Sequence, residues 1–175
     1  MCIRDRPNID IKLKNNQKWK NELFNCEIMH IPGHTSGHIS IYVKEINALF
    51  TGDTLFSLGC GRIFEGTYNQ MFNSLNKLKK FPRNTKIYCG HEYTKNNSDF
   101  CLSIDKKNLK LINKIKKISE KIKNGEPTIP STLGEELECN IFLRSDNADI
   151  QKQLGINSGN PIETFTKLRD LKDNF

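Results

Sequence analysis

The chain has 175 residues, 36% of them hydrophobic and 27% charged, which is long enough for one sizeable core and too apolar for a disordered segment. Its apolar runs are only a few residues long, and no charged start leads into a hydrophobic stretch with a cleavage site, so neither a membrane span nor a signal peptide is predicted. The net charge of +7 would suit an anionic partner, but lysine-rich helix faces turned to solvent account for most of it, and the basic segments lack the aromatic interleaving of nucleic-acid binders.

The first six residues, MCIRDR, fit no element and read as a non-native start. The stretch HIPGHTSGHISIY at 30–42 then sets three of the four histidines around a Pro-Gly pair, ahead of a β-branched run that predicts a strand. NALFTGD at 47–53 predicts a second strand, and YNQMFNSLNKLKKFP at 68–82 has helical spacing and stops at a proline. TKIYCGHEYT at 85–94 predicts a third strand. Strand, strand, helix, strand is the order of a layered α/β sheet. Over 105–124, apolar residues at Leu109, Ile112, Ile115, Ile118 and Ile122 predict a helix that docks by that face, with its lysines on the other side and Gly125 as its stop. Everything past residue 104 reads as helices and turns. The division that follows is a start at 1–6, an α/β unit at 7–96 and a helical unit at 97–175.

Six cysteines (Cys2, Cys26, Cys60, Cys89, Cys101 and Cys139) lie scattered without a CxxC pair, which predicts reduced thiols in a cytoplasmic protein. Cys60 and Cys89 read as packing or loop residues.

His34, Asp53 and His91 each follow a glycine at a strand-associated turn, in PGH, TGD and CGH. In open α/β folds such loops are where functional groups converge, and two imidazoles with a carboxylate are a sensible set for Zn²⁺, Fe²⁺ or Mn²⁺. On spacing alone, turn and capping roles fit equally well. His38 is either a support behind the site or a hydrogen-bonded core histidine, and His30 reads as structural.

PGHTSGH, LFTGDTLF, GCGRIFEGT, YCGHEYT, GEPTIPSTLGEE and the terminal LRDLKDNF, in that order, resemble the hydroxyacylglutathione hydrolases, the glyoxalase II family of the metallo-β-lactamase superfamily. The resemblance implies a partial αββα metallo-β-lactamase-like fold followed by an α-helical C-terminal domain. It implies two divalent metal ions, Zn²⁺ first and Fe or Mn as alternatives, with His34 on one, His91 on the other and Asp53 bridging them. It further implies glutathione recognition by Arg62, Tyr93, Arg169 and Lys172, with Phe64 standing where relatives commonly have a tyrosine hydroxyl. The implied reaction is hydrolysis of S-D-lactoylglutathione to D-lactate and glutathione, the second step of methylglyoxal detoxification, by a cytoplasmic monomer with a small-molecule substrate and no nucleic-acid or membrane partner.

One part of the family pattern is missing. The upstream HxHxDH motif occurs nowhere in the sequence, and no histidine precedes His30. The chain therefore reads as a C-terminal portion that is inactive by itself. A glutathione-linked persulfide dioxygenase of the same superfamily and a non-catalytic basic binding module are the alternatives. The C-terminal motifs resemble the hydrolases and not the dioxygenase, and metal-free, salt-sensitive oligonucleotide binding would mark the module.

Overall fold

The computed structural model describes residues 10–157 and 159–175; the MCIRDR start and Cys2 lie outside them. Strands β1 (Lys18–Lys20), β2 (Asn25–His30), β3 (Ile39–Val43) and β4 (Ala48–Gly52) are followed by a small hairpin, β5 (Leu55–Phe56) and β6 (Gly59–Cys60). Helix α1 (Tyr68–Leu78) and strand β7 (Lys86–Cys89) come next. The remainder is α2 (Thr94–Ile104), α3 (Leu109–Lys123), β8 (Ser131–Thr132), α4 (Leu133–Cys139), α5 (Ala148–Gln153) and α6 (Pro161–Asp173). Among the described residues no helix is long and apolar enough to cross a membrane.

The main sheet has the order β1-β2-β3-β4-β7-β8, with β4 and β7 parallel and the other neighbours antiparallel. Because β3 opposes both β2 and β4, while β7 runs with β4, strands β2, β4 and β7 all point the same way. The loops that leave their carboxyl ends, at 31–38, 53–54 and 90–93, are thereby gathered on one rim of the sheet, which is what positions the site. The parallel β4–β7 pair needs a crossover, and α1 provides it.

Local chemistry fixes the ends of these elements. The β3–β4 turn places Asn47 in the left-handed region (φ 46°), which asparagine tolerates better than most residues. Thr67 caps α1 in a reciprocal box with Gln70, and Thr132 does the same for α4 with Glu135. Asn108 accepts hydrogen bonds from the Lys110 and Leu111 amides at the start of α3, and Gly125 closes that helix at φ 70°. Asn160 caps α6 ahead of Pro161, whose fixed φ suits a first helical turn.

A single large core joins the sheet to the helices, with Leu49 and Ile87 from the strands, Met71, Leu75 and Leu78 from α1, and Phe100, Phe142 and Phe165 from the helical part. Removing each such side chain from water contributes about 1.5–3 kcal/mol. A smaller cluster of Cys26, Ile28 and Val43, with Trp19 and Ile41 against it, lies apart from it.

Two expectations change. The stretch past residue 104 is not wholly helical, because β8 adds to the sheet edge by pairing Ser131 with Ile87 and Thr132 with Lys86. Helix α3 is also rotated from its predicted face. Leu109 is 73% exposed and Ile122 46%, while the buried residues are Leu111, Lys114 and Ile118. A lysine sits inside because its ammonium donates to the buried carboxylate of Glu136 at 2.9 Å. Residues 96 and 97 fall within α2.

Candidate metal centre

The rim loops bring His34, Asp53 and His91 together. Nε2 of His34 stands 3.6 Å from Oδ2 of Asp53, and Nε2 of His91 stands 3.5 Å from Oδ1 of the same carboxylate. One carboxylate thus presents a separate oxygen to each imidazole. Both separations exceed ordinary N–H···O hydrogen bonds. They match the spacing of two donors on one tetrahedral ion: with metal–ligand bonds of about 2.1 Å, neighbouring donors stand about 3.4 Å apart. Among the described residues no three His, Cys, Asp or Glu side chains gather around one point. The geometry is instead two donor pairs that share Asp53.

The protonation pattern agrees with that spacing. Nδ1 of His34 lies 2.9 Å from the Arg62 carbonyl, an acceptor only, so Nδ1 carries the ring proton and a neutral His34 turns a bare lone pair toward Asp53. Oδ1 of Asp53 is buried without a hydrogen-bond partner. Two acceptors facing each other across 3.6 Å repel unless a cation lies between them. The approach of the two loops also depends on Gly90, since a Cβ there would lie 2.5 Å from Asp53 Oδ1. The residues present therefore fit a divalent ion on each side of the carboxylate.

His38 is buried behind this pair, and its Nε2 accepts the Asp53 backbone N–H at 2.9 Å. Burial, followed by the neighbouring His34, holds its pKa below the usual imidazole value, which keeps it neutral and able to accept. The His30 ring donates to the Ser36 carbonyl at 2.7 Å, tying down the loop that carries His34. Glu65, which drew no attention in the sequence, grips the same loop by accepting from the Ser36 amide at 2.9 Å and its hydroxyl at 3.0 Å. No spacing rule links positions 36 and 65; only the loop fold does. Glu92, next to His91, accepts from the Thr128 amide and hydroxyl and so fastens the CGHEY turn to the GEPTIPST segment.

Aromatic side chains flank the two histidines. The Phe64 ring lies 4.9 Å from that of His34 and is 68% exposed; Tyr93 stacks on His91 at 5.1 Å and 21° and is likewise open to solvent. Arg62 is exposed, with its Nε 3.2 Å from Asp173. Lys172 is half-buried, donates to the Asn96 carbonyl at 3.2 Å and lies over the Phe100 and Phe175 rings. Arg169 behaves differently from its helix neighbour. It is buried, donates to the Cys60 carbonyl at 2.7 Å and to Asp173 at 2.9 Å, and packs over Phe142. Arg169 and Lys172, both implied in glutathione recognition, are thus held in separate contacts.

Burial raises the thiol pKa values of both Cys60 and Cys89, which leaves these groups as neutral thiols at physiological pH.

Two family models match end to end: the metallo-β-lactamase superfamily over residues 23–91 and the hydroxyacylglutathione hydrolase C-terminus over 92–175. The hydroxyacylglutathione hydrolase of Pelagibacter ubique is 57% identical over 98% of this chain and 66% of its own length. The chain belongs to the hydroxyacylglutathione hydrolase family. The enzyme of that name from Methylococcus capsulatus is 40% identical over 97% of this chain and 66% of its own length, so the chain spans slightly under two thirds of these curated relatives. Solved structures share the fold: ETHE1 from Myxococcus xanthus (19% identical, TM-score 0.60, 93% of this chain and 52% of that one) and a metallo-β-lactamase from Staphylococcus aureus (20%, TM-score 0.58, 97% and 45%). Membership of the metallo-β-lactamase superfamily implies divalent metal ions.

Proposed function

We propose that this chain supplies the Asp53 bridge and two histidine ligands of a dinuclear metal-dependent thioester hydrolase acting on S-D-lactoylglutathione, with D-lactate and glutathione as products. The observation that carries this reading is the single Asp53 carboxylate, with one oxygen turned to His34 and the other to His91 at 3.6 and 3.5 Å. Divalent ions, Zn²⁺ in the first place and Fe or Mn otherwise, would supply a Lewis acid and lower the pKa of a water, so that a hydroxide nucleophile for the thioester carbonyl would be available near neutral pH.

The chain's own residues do the rest. Asp53 keeps the two imidazoles at the spacing of shared donors, and His38 holds the Asp53 backbone in place through its bare Nε2. The Arg62 carbonyl keeps the His34 proton on Nδ1. Tyr93 and Phe64 form exposed aromatic walls beside the two histidines, and without a hydroxyl Phe64 contributes apolar contact alone. Arg62 and Lys172 are the cations assigned in this reading to the glutathione carboxylates, the former with the fork geometry suited to bidentate pairing. Arg169 acts behind them: Asp173 accepts a hydrogen bond from Arg169 and forms an ion pair with Arg62, so the buried arginine holds the carboxylate that faces the exposed one. The substrate is a small molecule, and the reading places the protein in the cytoplasm as a monomer.

The test is a graft. This chain, substituted for the matching segment of the Pelagibacter ubique relative, should hydrolyse S-D-lactoylglutathione, and Asp53→Ala in the graft should abolish turnover and lower metal content. Full metal occupancy with unaltered turnover in that variant would remove Asp53 from the site.

A further inference from the structure

The tip of the β5–β6 hairpin, residues 56–59, is served by side chains that come from the helical part of the chain. Asn97 of α2 donates to the Ser57 carbonyl at 3.1 Å, and Cys101 of the same helix donates to the Leu58 carbonyl at 3.1 Å. The Leu58 amide donates to Glu136 of α4 at 2.7 Å, and Asn140, which follows α4, donates to the Gly59 carbonyl at 3.1 Å. Leu58 itself is in the left-handed region at φ 59°, where a branched aliphatic residue is rarely found unless its surroundings hold it there. Glu136 is wholly buried, and Lys114 of α3 donates to its other oxygen at 2.9 Å.

The hairpin leads straight to the metal centre. After β6 the chain passes Gly61, where a Cβ would lie 1.9 Å from the Asp53 carbonyl and 3.2 Å from Nδ1 of His34, and reaches Arg62, whose carbonyl accepts the hydrogen bond from His34 Nδ1. The route from Leu58 to that carbonyl is four residues long, and at Gly61 it passes too close to the Asp53 carbonyl to admit a side chain. A buried ion pair adds little stability beyond what a packed apolar pair would give, so the presence of Glu136 and Lys114 here fits a geometric task better than a stabilising one.

We propose that Glu136 is a positioning residue for the metal centre: by fixing the Leu58 turn it sets the Arg62 carbonyl against His34 Nδ1 and keeps His34 Nε2 bare and aimed at Asp53. This inference rests on the reading of His34 as a metal ligand, which makes its ring orientation matter.

The experiment uses the full 175-residue chain. In the Lys114→Met/Glu136→Leu pair the charge is balanced but the acceptor for the Leu58 amide is gone; in Lys114→Met/Glu136→Gln an acceptor remains. Folding is followed by circular dichroism, the His34 ring by long-range proton–nitrogen correlation at pH 8 without metal, and Zn²⁺ affinity by competition with a chromophoric chelator. The leucine variant should fold, lose the single Nδ1-protonated signature of His34 and bind Zn²⁺ about 10- to 100-fold more weakly, as expected when the support of a ligand is removed. The glutamine variant should recover both. A folded leucine variant with wild-type His34 signals and Zn²⁺ affinity within twofold of wild type would overturn the proposal. Should that variant not fold, Asn97→Ala decides: a shifted His34 signature with a several-fold weaker affinity supports the proposal, and wild-type values sink it. The metal-free His34 signal reads positioning alone, so a wild-type chain that bound no Zn²⁺ would refute the metal reading while leaving this one to be judged separately.

Discussion

Arg169 and Asp173 are joined at 2.9 Å across one turn of α6, and that pairing turns the arginine inward, onto the Cys60 carbonyl, and away from solvent. Arg169→Ala is therefore expected to act first on stability. It removes a buried guanidinium with two charge-assisted hydrogen bonds and should cost about 1–3 kcal/mol, measured as a lowered urea midpoint with an unchanged m-value. A variant as stable as the parent would show that these contacts contribute nothing.

Lys172 should behave in the opposite manner. Burial, and then the charge of Arg169, hold its pKa below the ordinary lysine value, which lowers the cost of transferring it onto a ligand carboxylate. In the grafted hydrolase, Lys172→Ala should raise KM for S-D-lactoylglutathione roughly five- to thirty-fold, about 1–2 kcal/mol of lost charge-assisted binding, while kcat and metal content hold. An unchanged KM at physiological salt would take this helix end out of substrate recognition.

The sequence made the sheet's backbone legible because β3, β4 and β7 carry β-branched or apolar runs closed by turn residues, and α1 has a clear 3.6-residue period before Pro82. The Gly-adjacent triplet was legible because each member directly follows a glycine, and each lies in a loop that leaves the carboxyl end of a strand. Two-residue strands such as β5, β6 and β8 have no period to read. The face of α3 was misjudged because its register is set by Glu136, 22 residues beyond Lys114, and nothing in the helix's own spacing announces that partner. The support of His34 was hidden for a related reason, since it comes from a backbone carbonyl, and any residue type at position 62 would supply one. The burial of Arg169 likewise follows from Cys60 and Asp173 lying on either side of it, a relationship 109 residues long on one side.

The thiols offer a check on the core. Burial pushes the pKa of Cys101 up to about 12 and that of Cys139 to about 11. At pH 7.5 the native chain should leave Cys60, Cys101 and Cys139 unmodified by iodoacetamide, with labelling appearing only in denaturant, as mapped by mass spectrometry. Rapid native labelling of Cys101 would contradict its placement between α2 and the hairpin.

Alkali should destabilise the chain in a predictable direction. Burial presses the Lys114 ammonium down, but the Glu136 and Glu135 carboxylates more than offset this, so its pKa lies above the ordinary value of 10.5. The folded state then holds its proton more tightly than the unfolded state. The stabilisation is fully present below about pH 10 and is lost as pH rises through the folded value. The raised thiols act with the same sign from about pH 9 upward. Urea midpoints between pH 8 and 12 should fall, and the Lys114→Met/Glu136→Gln pair should fall less steeply than wild type. Parallel curves would assign the whole effect to the thiols.

The last expectation concerns the 175-residue chain without a graft. Its candidate metal donors form two pairs, His34 with one oxygen of Asp53 and His91 with the other, and its sequence contains no HxHxDH segment to complete either set. Two protein donors per ion fall short of the three that catalytic zinc sites ordinarily use, so ions should bind weakly and exchange readily. Nor can two donors fix the orientation of an ion closely enough to hold a reacting carbonyl at a set angle, and misplacement by about 1 Å can cost a hundredfold in rate. With millimolar Zn²⁺, the purified chain should hydrolyse S-D-lactoylglutathione no faster than the same buffer without protein. Asp53→Ala should leave that rate unchanged while further weakening Zn²⁺ binding. Chelator-sensitive turnover by the ungrafted chain, lost on Asp53→Ala, would show instead that these two donor pairs suffice for catalysis.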